Sequence, residues 1–340
     1  MVLEYSSHGF TQRFAARYTD WVMSRNTMTQ EEEHRVETDS ALPDHQIYGF
    51  INEIKSLENF LLDQKLYKEF KSLVIVGEYG VGKTALCKMI FNDDAVKSVY
   101  APMIWVSMPS KETKDGEDTK ISVVKRILKG LGVEDPMFFE SIHEEAIQEV
   151  INNLEAGEND GETAKDKELS ALLYALHLNL RWTKYLIVFD DVRDEDNWNE
   201  ILQDDEEKLE KEKKWGKYLS DGFPKGSGGR VIYTTREEIL ATKLVVDEHE
   251  IHRLWPLSDS HSVWKIYEAM FHRNGKDPPR NDKKCIDELM NNSRGLPLAA
   301  RLLADLDPVY LDDEPVAQID YTNVLNDYNP TLEGKKPTQP

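Results

Sequence analysis

Apolar positions Ile51, Ile54, Leu57 and Leu61 recur at three- and four-residue spacing, which predicts a helix leading into a short apolar run, residues 73–76. That run is too short for a helix and stops at a glycine-rich turn, so it predicts a buried strand. Helical spacing returns over 85–91, and residues 103–106 (Met-Ile-Trp-Val) carry the apolar and aromatic content of a second strand. Three helices are predicted next, over 121–131, 138–154 and 169–180, the last two separated by the glycine- and charge-rich stretch 156–167. Further strands are predicted at 185–189, 230–233 and 250–254. Strands alternating with helices predict an α/β fold, a parallel sheet flanked by helices with its ligands at the carboxyl ends of the strands.

The remaining pattern is helical or irregular. Residues 258–273 open on a potential N-cap, Ser258, and would bury Val263, Trp264, Ile266 and Tyr267. Another helix, 281–293, is ended by Gly295, and Pro297 is placed to open the next. These helices predict a small C-terminal helical subdomain over 257–307, behind a main domain over 45–256. Residues 1–44 lack apolar periodicity and are expected to form a flexible arm; 308–340 are expected to form an acidic, polar tail. Between the third and fourth strands, 197–219 places Leu202, Leu209 and Trp215 among alternating charges and predicts a solvated helix.

Composition narrows the partners. The chain has 42 Lys and Arg against 63 Asp and Glu, a formal charge of −21, which argues against a surface built for nucleic acid or acidic lipid. Acidic residues concentrate in 155–168, 200–212 and 305–314, which reads as solvated faces and loops. Cys87 and Cys285 are the two cysteines, too few and too far apart for a disulfide framework or a zinc site. The first residues have no apolar signal core, no run is long enough for a transmembrane segment, and Val2 excludes myristoylation. A cytoplasmic location is the expectation.

Candidate chemistry lies where strands end. Gly77-Glu78-Tyr79-Gly80-Val81-Gly82-Lys83-Thr84 fits the phosphate-gripping P-loop pattern, after a strand and before a helix. Glycines at Gly80 and Gly82 allow backbone angles that turn successive N–H groups toward phosphate oxygens, Val81 and Ala85 contributing further backbone. The helix start adds unpaired donors and partial positive charge. Lys83 would bridge β- and γ-phosphates, and Thr84 would enter a Mg²⁺ shell. Residues 184–191 end a strand on two carboxylates: Asp190 is the metal candidate, and Asp191 the candidate for polarising an attacking water, unless both belong to an exposed turn. Arg236, ending 230–236, is placed either to reach a γ-phosphate or to pair with a surface acid.

In order along the chain, these motifs resemble the NB-ARC module of plant nucleotide-binding, leucine-rich-repeat immune receptors, a signalling class of P-loop NTPase. Residues 77–86, Ile-Trp-Val-Ser at 104–107, the Asp-Asp-Val segment at 186–198, Thr-Thr-Arg within 229–236, 254–271 and Gly-Leu-Pro-Leu at 295–298 carry the likeness. The resemblance implies ADP or ATP with Mg²⁺, adenine held by Ile47 and Tyr48, Pro297 packed on the base, and Arg236 sensing the γ-phosphate. It also implies a protein partner, such as an immune receptor or signalling component, and at most slow ATP hydrolysis. Departures are Phe50, where the family often has arginine, and Arg193, where the coiled-coil subclass has tryptophan. The chain resembles a receptor reduced to its nucleotide-binding core and first helical subdomain, without leucine-rich repeats.

Overall fold

The computed structural model describes residues 37–43, 46–63, 69–108, 118–156, 161–196, 219–245, 247–273, 275 and 281–305. The expected solvated helix at 197–219 and the tail at 308–340 lie outside these, apart from Leu219.

Five strands form one parallel sheet: β1 (Lys71–Val76), β2 (Met103–Ser107), β3 (Leu186–Asp190), β4 (Arg230–Thr235) and β5 (Ile251–Arg253), in the order β2-β3-β4-β1-β5. The chain leaves β1 for the far edge at β2, returns through β3 to β4, then crosses β1 to reach β5. Crossovers from neighbouring β1 and β4 thus run in opposite directions, which opens a crevice between their carboxyl ends.

Both faces of the sheet are covered, which is why its strands read as continuous apolar runs. Alternate residues enter separate cores: Val74, Ile187 and Phe189 face one, while Leu73, Ile75, Leu186 and Val188 face the other. The first is closed by α4 (Thr119–Gly130), α6 (Ala164–Leu180) and α7 (Glu238–Lys243), with α5 (Pro136–Glu155) packed outside α6. Leu169, Leu172, Leu173, Leu176 and Leu180 form the buried stripe of α6, and full burial of each stabilises by about 1.5–3 kcal/mol. The second core is closed by α1 (Ile51–Leu62), α2 (Lys83–Phe91) and α3 (Asp94–Val99).

A third cluster joins α8 (Ser260–Arg273), α9 (Lys283–Ser293) and α10 (Pro297–Asp305) through Val263, Trp264, Tyr267, Phe271, Cys285, Leu289 and Ala300. Leu257 packs against both this cluster and the second core, so it is the hydrophobic joint between the subdomain and the sheet. Asp259, rather than Ser258, caps α8: its carboxylate accepts from the His261 and Ser262 amides at 3.1 and 3.0 Å.

Of the expected N-terminal arm, residues 37–43 are described; Thr38 lies against the carboxyl end of β2 and Glu37 against Arg126, held by polar bonds that hydrophobic periodicity does not register.

Candidate functional site

The P-loop joins β1 to α2 at the crevice. Gly80 and Gly82 take φ of 81° and 110°, angles that L side chains rarely adopt. Space enforces the same choice, since a Cβ on Gly82 would lie 2.7 Å from the Phe50 ring and one on Gly80 would lie 2.8 Å from Leu298 Cβ. No side chain caps the α2 N-terminus, so its leading amides are left for a ligand. Lys83 is buried, its Nζ donating to the carbonyls of Gly77 at 2.7 Å and Glu78 at 3.0 Å. Burial, then the nearby Arg236 charge, pulls its pKa down to about 8, while Asp191 and Asp190 oppose the shift.

β3 places Asp190 beside α2. The Thr84 hydroxyl lies 3.0 Å from both Asp190 oxygens, Thr234 donates to Oδ1 at 2.7 Å and Thr38 donates to Oδ2 at 2.8 Å. A hydroxyl and one carboxylate match Mg²⁺, which takes few protein ligands and completes its shell with water and phosphate. Among the described residues no group of three or more His, Cys, Asp or Glu is placed to hold a metal ion.

Asp191 has φ of 64°, fixed in part by its amide donating to the Thr234 hydroxyl at 2.8 Å. Its carboxylate lies between two guanidinium groups, Arg193 Nη2 at 3.0 Å from Oδ2 and Arg236 Nε at 3.4 Å from Oδ1. Arg236 also stacks on Tyr79 of the P-loop, 4.5 Å from the ring centroid. Arg236 is therefore an ion-pair partner in this arrangement and sits beside Lys83 as well.

On the other side of the P-loop, Ile47, Tyr48, Phe50, Gly82, Ala85, Ile266, Met270, Pro297 and Arg301 line one largely apolar cleft. Sequence positions 47, 48, 82, 85 and 297, chosen for base and phosphate contact, thus meet in space. Pro297 also opens α10, the role its position before a helix predicts. Gly80 is tied to that helix, its carbonyl accepting from the Leu298 amide at 3.2 Å. Phe50 holds φ of 63° while its ring covers Gly82, a strained conformation of the kind that collects at ligand sites.

Sequence reasoning did not select Thr38, Phe50, Met270 or Arg301. Thr234 sits inside the quoted Thr-Thr-Arg segment without having been given a role.

The NB-ARC domain family matches residues 52–276, two thirds of the chain, including the P-loop, Asp190 and Arg236. The chain belongs to the NB-ARC family. A probable disease resistance protein of Arabidopsis thaliana is 71% identical over 304 residues, covering 89% of this chain and 87% of that relative. A second from the same plant is 65% identical over 320 residues, covering 90% and 89%. Among solved structures, Cdc6p from Pyrobaculum aerophilum aligns with a TM-score of 0.42 and 13% identity, over 80% of this chain and 64% of that one. NB-ARC domains bind nucleotide, and this one presents a P-loop and an apolar cleft side by side. Among the described residues no helix is long and apolar enough to cross a membrane.

Proposed function

We propose that this NB-ARC chain is a nucleotide-dependent interaction module of plant defence signalling, binding ADP or ATP with Mg²⁺ and presenting a surface to a protein partner according to which is bound. Relatives named as probable disease resistance proteins support the setting; a cytoplasmic location is part of the proposal and rests on the sequence alone. The observation that carries the reading is the meeting of the P-loop with Pro297 and Leu298 of the helical subdomain. A nucleotide held there touches both parts of the molecule, so a change in its phosphates can bias how they pack.

In this reading the cleft takes the adenine between Ile47, Tyr48 and Pro297, and the P-loop takes the phosphates. Thr84 and Asp190 hold Mg²⁺, which neutralises phosphate charge when bound. Arg236 distinguishes the two nucleotides by leaving Asp191 for a γ-phosphate. Arg193 still holds Asp191 Oδ2 when Arg236 leaves, which supports slow turnover because the carboxylate stays turned toward a guanidinium and is not free to orient an attacking water.

Purified protein is expected to release adenine nucleotide on denaturation. In a single-turnover assay with Lys83→Ala as control, phosphate release should be slower than minutes. Release at or above that rate would identify the protein as a turnover ATPase instead.

The lowered Lys83 pKa gives this reading a pH signature. Phosphate beside the ammonium raises its pKa again, so ADP binding near pH 8 should take up part of a proton, and affinity should fall as pH rises past about 8. The calorimetric enthalpy should then differ between Tris and HEPES buffers for the natural protein; equal enthalpies would remove Lys83 from phosphate contact.

A further inference from the structure

The segment at residues 37–40 is fastened to the metal side of the site from four directions. The Thr38 amide donates to Ser107 Oγ of β2 at 2.9 Å, and the Trp105 indole donates to the Thr38 hydroxyl at 3.1 Å. That hydroxyl in turn donates to Asp190 Oδ2 at 2.8 Å. Glu37 pairs with Arg126 of α4 at 2.8 Å, Asp39 with Lys88 of α2 at 3.2 Å, and the Ser40 carbonyl accepts from Asn92 at 2.7 Å.

These bonds are unequal. The two ion pairs join exposed carboxylates to surface cations, where such contacts contribute little and are screened by salt. Leu42 is half exposed, and no residue of the segment enters a core. The Thr38 hydroxyl is different: it uses its donor on a carboxylate and its acceptor on an indole, so it is the specific anchor of the strap.

A carboxylate has about four acceptor positions, and three hydroxyls take three of those of Asp190, leaving little room for more: Thr234 on Oδ1, Thr38 on Oδ2, and Thr84, whose one proton is shared between the two oxygens. Mg²⁺ keeps several waters, which need acceptors of their own. Thr234 is fully buried and locked by the Asp191 amide, and Thr84 is itself the metal candidate. Thr38, on a half-buried strap, is the donor that can give way.

We propose that residues 37–40 are a metal-sensing strap: Thr38 and the Mg²⁺ hydration shell compete for Asp190 Oδ2, so loading the site with Mg²⁺ and nucleotide releases the strap. This rests on the nucleotide-site reading above and names what that site controls, the seating of the N-terminal segment. Competition for one oxygen is a coupling between two binding events and is reciprocal, so loosening the strap must tighten the metal by the same factor.

Hydrogen exchange of the peptide covering 37–43, in the full chain, tests the first half. With ADP present, replacing EDTA by Mg²⁺ should speed its exchange about fivefold, the low end of ordinary couplings. Thr38→Val should speed strap exchange without metal and raise Mg²⁺ affinity, measured calorimetrically in the presence of ADP, by about the same factor. Trp105→Phe, which leaves Asp190 untouched, should act in the same direction more weakly. No ADP binding in either buffer overturns the proposed function and this inference with it. ADP and Mg²⁺ binding with unchanged strap exchange, or with Mg²⁺ affinity unchanged or reduced in Thr38→Val, overturns this inference alone.

Discussion

Replacing Lys83 by alanine is expected to weaken ADP binding by at least about 100-fold while leaving the free protein folded. The two halves have different causes. Without phosphate, the Lys83 ammonium is a buried charge answered by two backbone carbonyls, and its lowered pKa says that burial disfavours the charged form. Its contribution to folding has the matching sign: the cost is complete below about pH 8 and is relieved as pH rises toward the ordinary lysine value of 10.5. Removing the side chain therefore takes away a liability along with two hydrogen bonds, and the free protein should melt close to the natural one. With phosphate bound, the same ammonium meets a dianion in a poorly hydrated site, where charge-assisted hydrogen bonds are worth about 1.5–3 kcal/mol each. At ADP near 100 times the natural Kd, the natural protein should gain about 2.7 kcal/mol, and the variant almost nothing. Thermal melts with and without ADP read both halves together. A variant that keeps its ADP-induced shift would place the phosphates elsewhere.

How much of this was visible in the chain depends on the range over which each feature is written. The sheet is legible because β1, β3 and β4 are buried on both faces and end in polar residues: Val-Ile-Val before Gly77, Val-Phe before Asp190, Tyr before Thr234. The helix α6 is legible because its leucines repeat at helical spacing from Leu169 to Leu180. α3 and α7 were missed because six residues hold less than two turns, too few to show a period. The expected cap at Ser258 failed by one position because Asp259, a stronger acceptor, was next to it.

The site divides in the same way. Lys83, Thr84, Asp190 and Arg236 are motif residues, each fixed by a strand end and its following turn. The cleft is not written locally, since Phe50, Met270 and Arg301 converge from the start of α1, the end of α8 and the middle of α10. Thr38 gave no signal at all. A strap held by single polar bonds needs no repeated pattern, and the absence of apolar periodicity, taken as looseness, is equally compatible with being bonded to a carboxylate and an indole. Phe50 was registered as a departure from the family; its ring over Gly82 and inside the cleft explains why an apolar residue is accommodated there.

Gly295→Ala should be the most damaging single-methyl change at the joint between the sheet and the helical subdomain, costing about 3 kcal/mol and loosening nucleotide binding with it. Gly295 has φ of 75° and follows Arg294 at 51°, so two successive left-handed residues end α9 and aim α10 at the P-loop. A methyl there would overlap the Leu257 carbonyl oxygen, and backbone cannot rotate aside as a side chain can. The Leu257 amide donates to the Gly295 carbonyl at 2.9 Å, so relief of the overlap breaks the bond that registers the two segments. Leu257 is also the residue shared by two cores, and the next helix carries Pro297 into the cleft and the Leu298 amide to Gly80. Displacement at Gly295 thus propagates to the cleft and to the P-loop in one step. Gly132→Ala supplies the control: Gly132 has φ of 88° with nothing within 4 Å of an added Cβ, so it isolates the backbone penalty of about 1 kcal/mol. Chemical denaturation of both variants gives the difference, which is the cost of the overlap itself, and ADP titration shows whether that cost reaches the site. If Gly295→Ala loses no more stability than Gly132→Ala and binds ADP as the natural protein does, the subdomain does not hold the cleft closed. Base recognition would then have to rest on Ile47, Tyr48 and Phe50 alone.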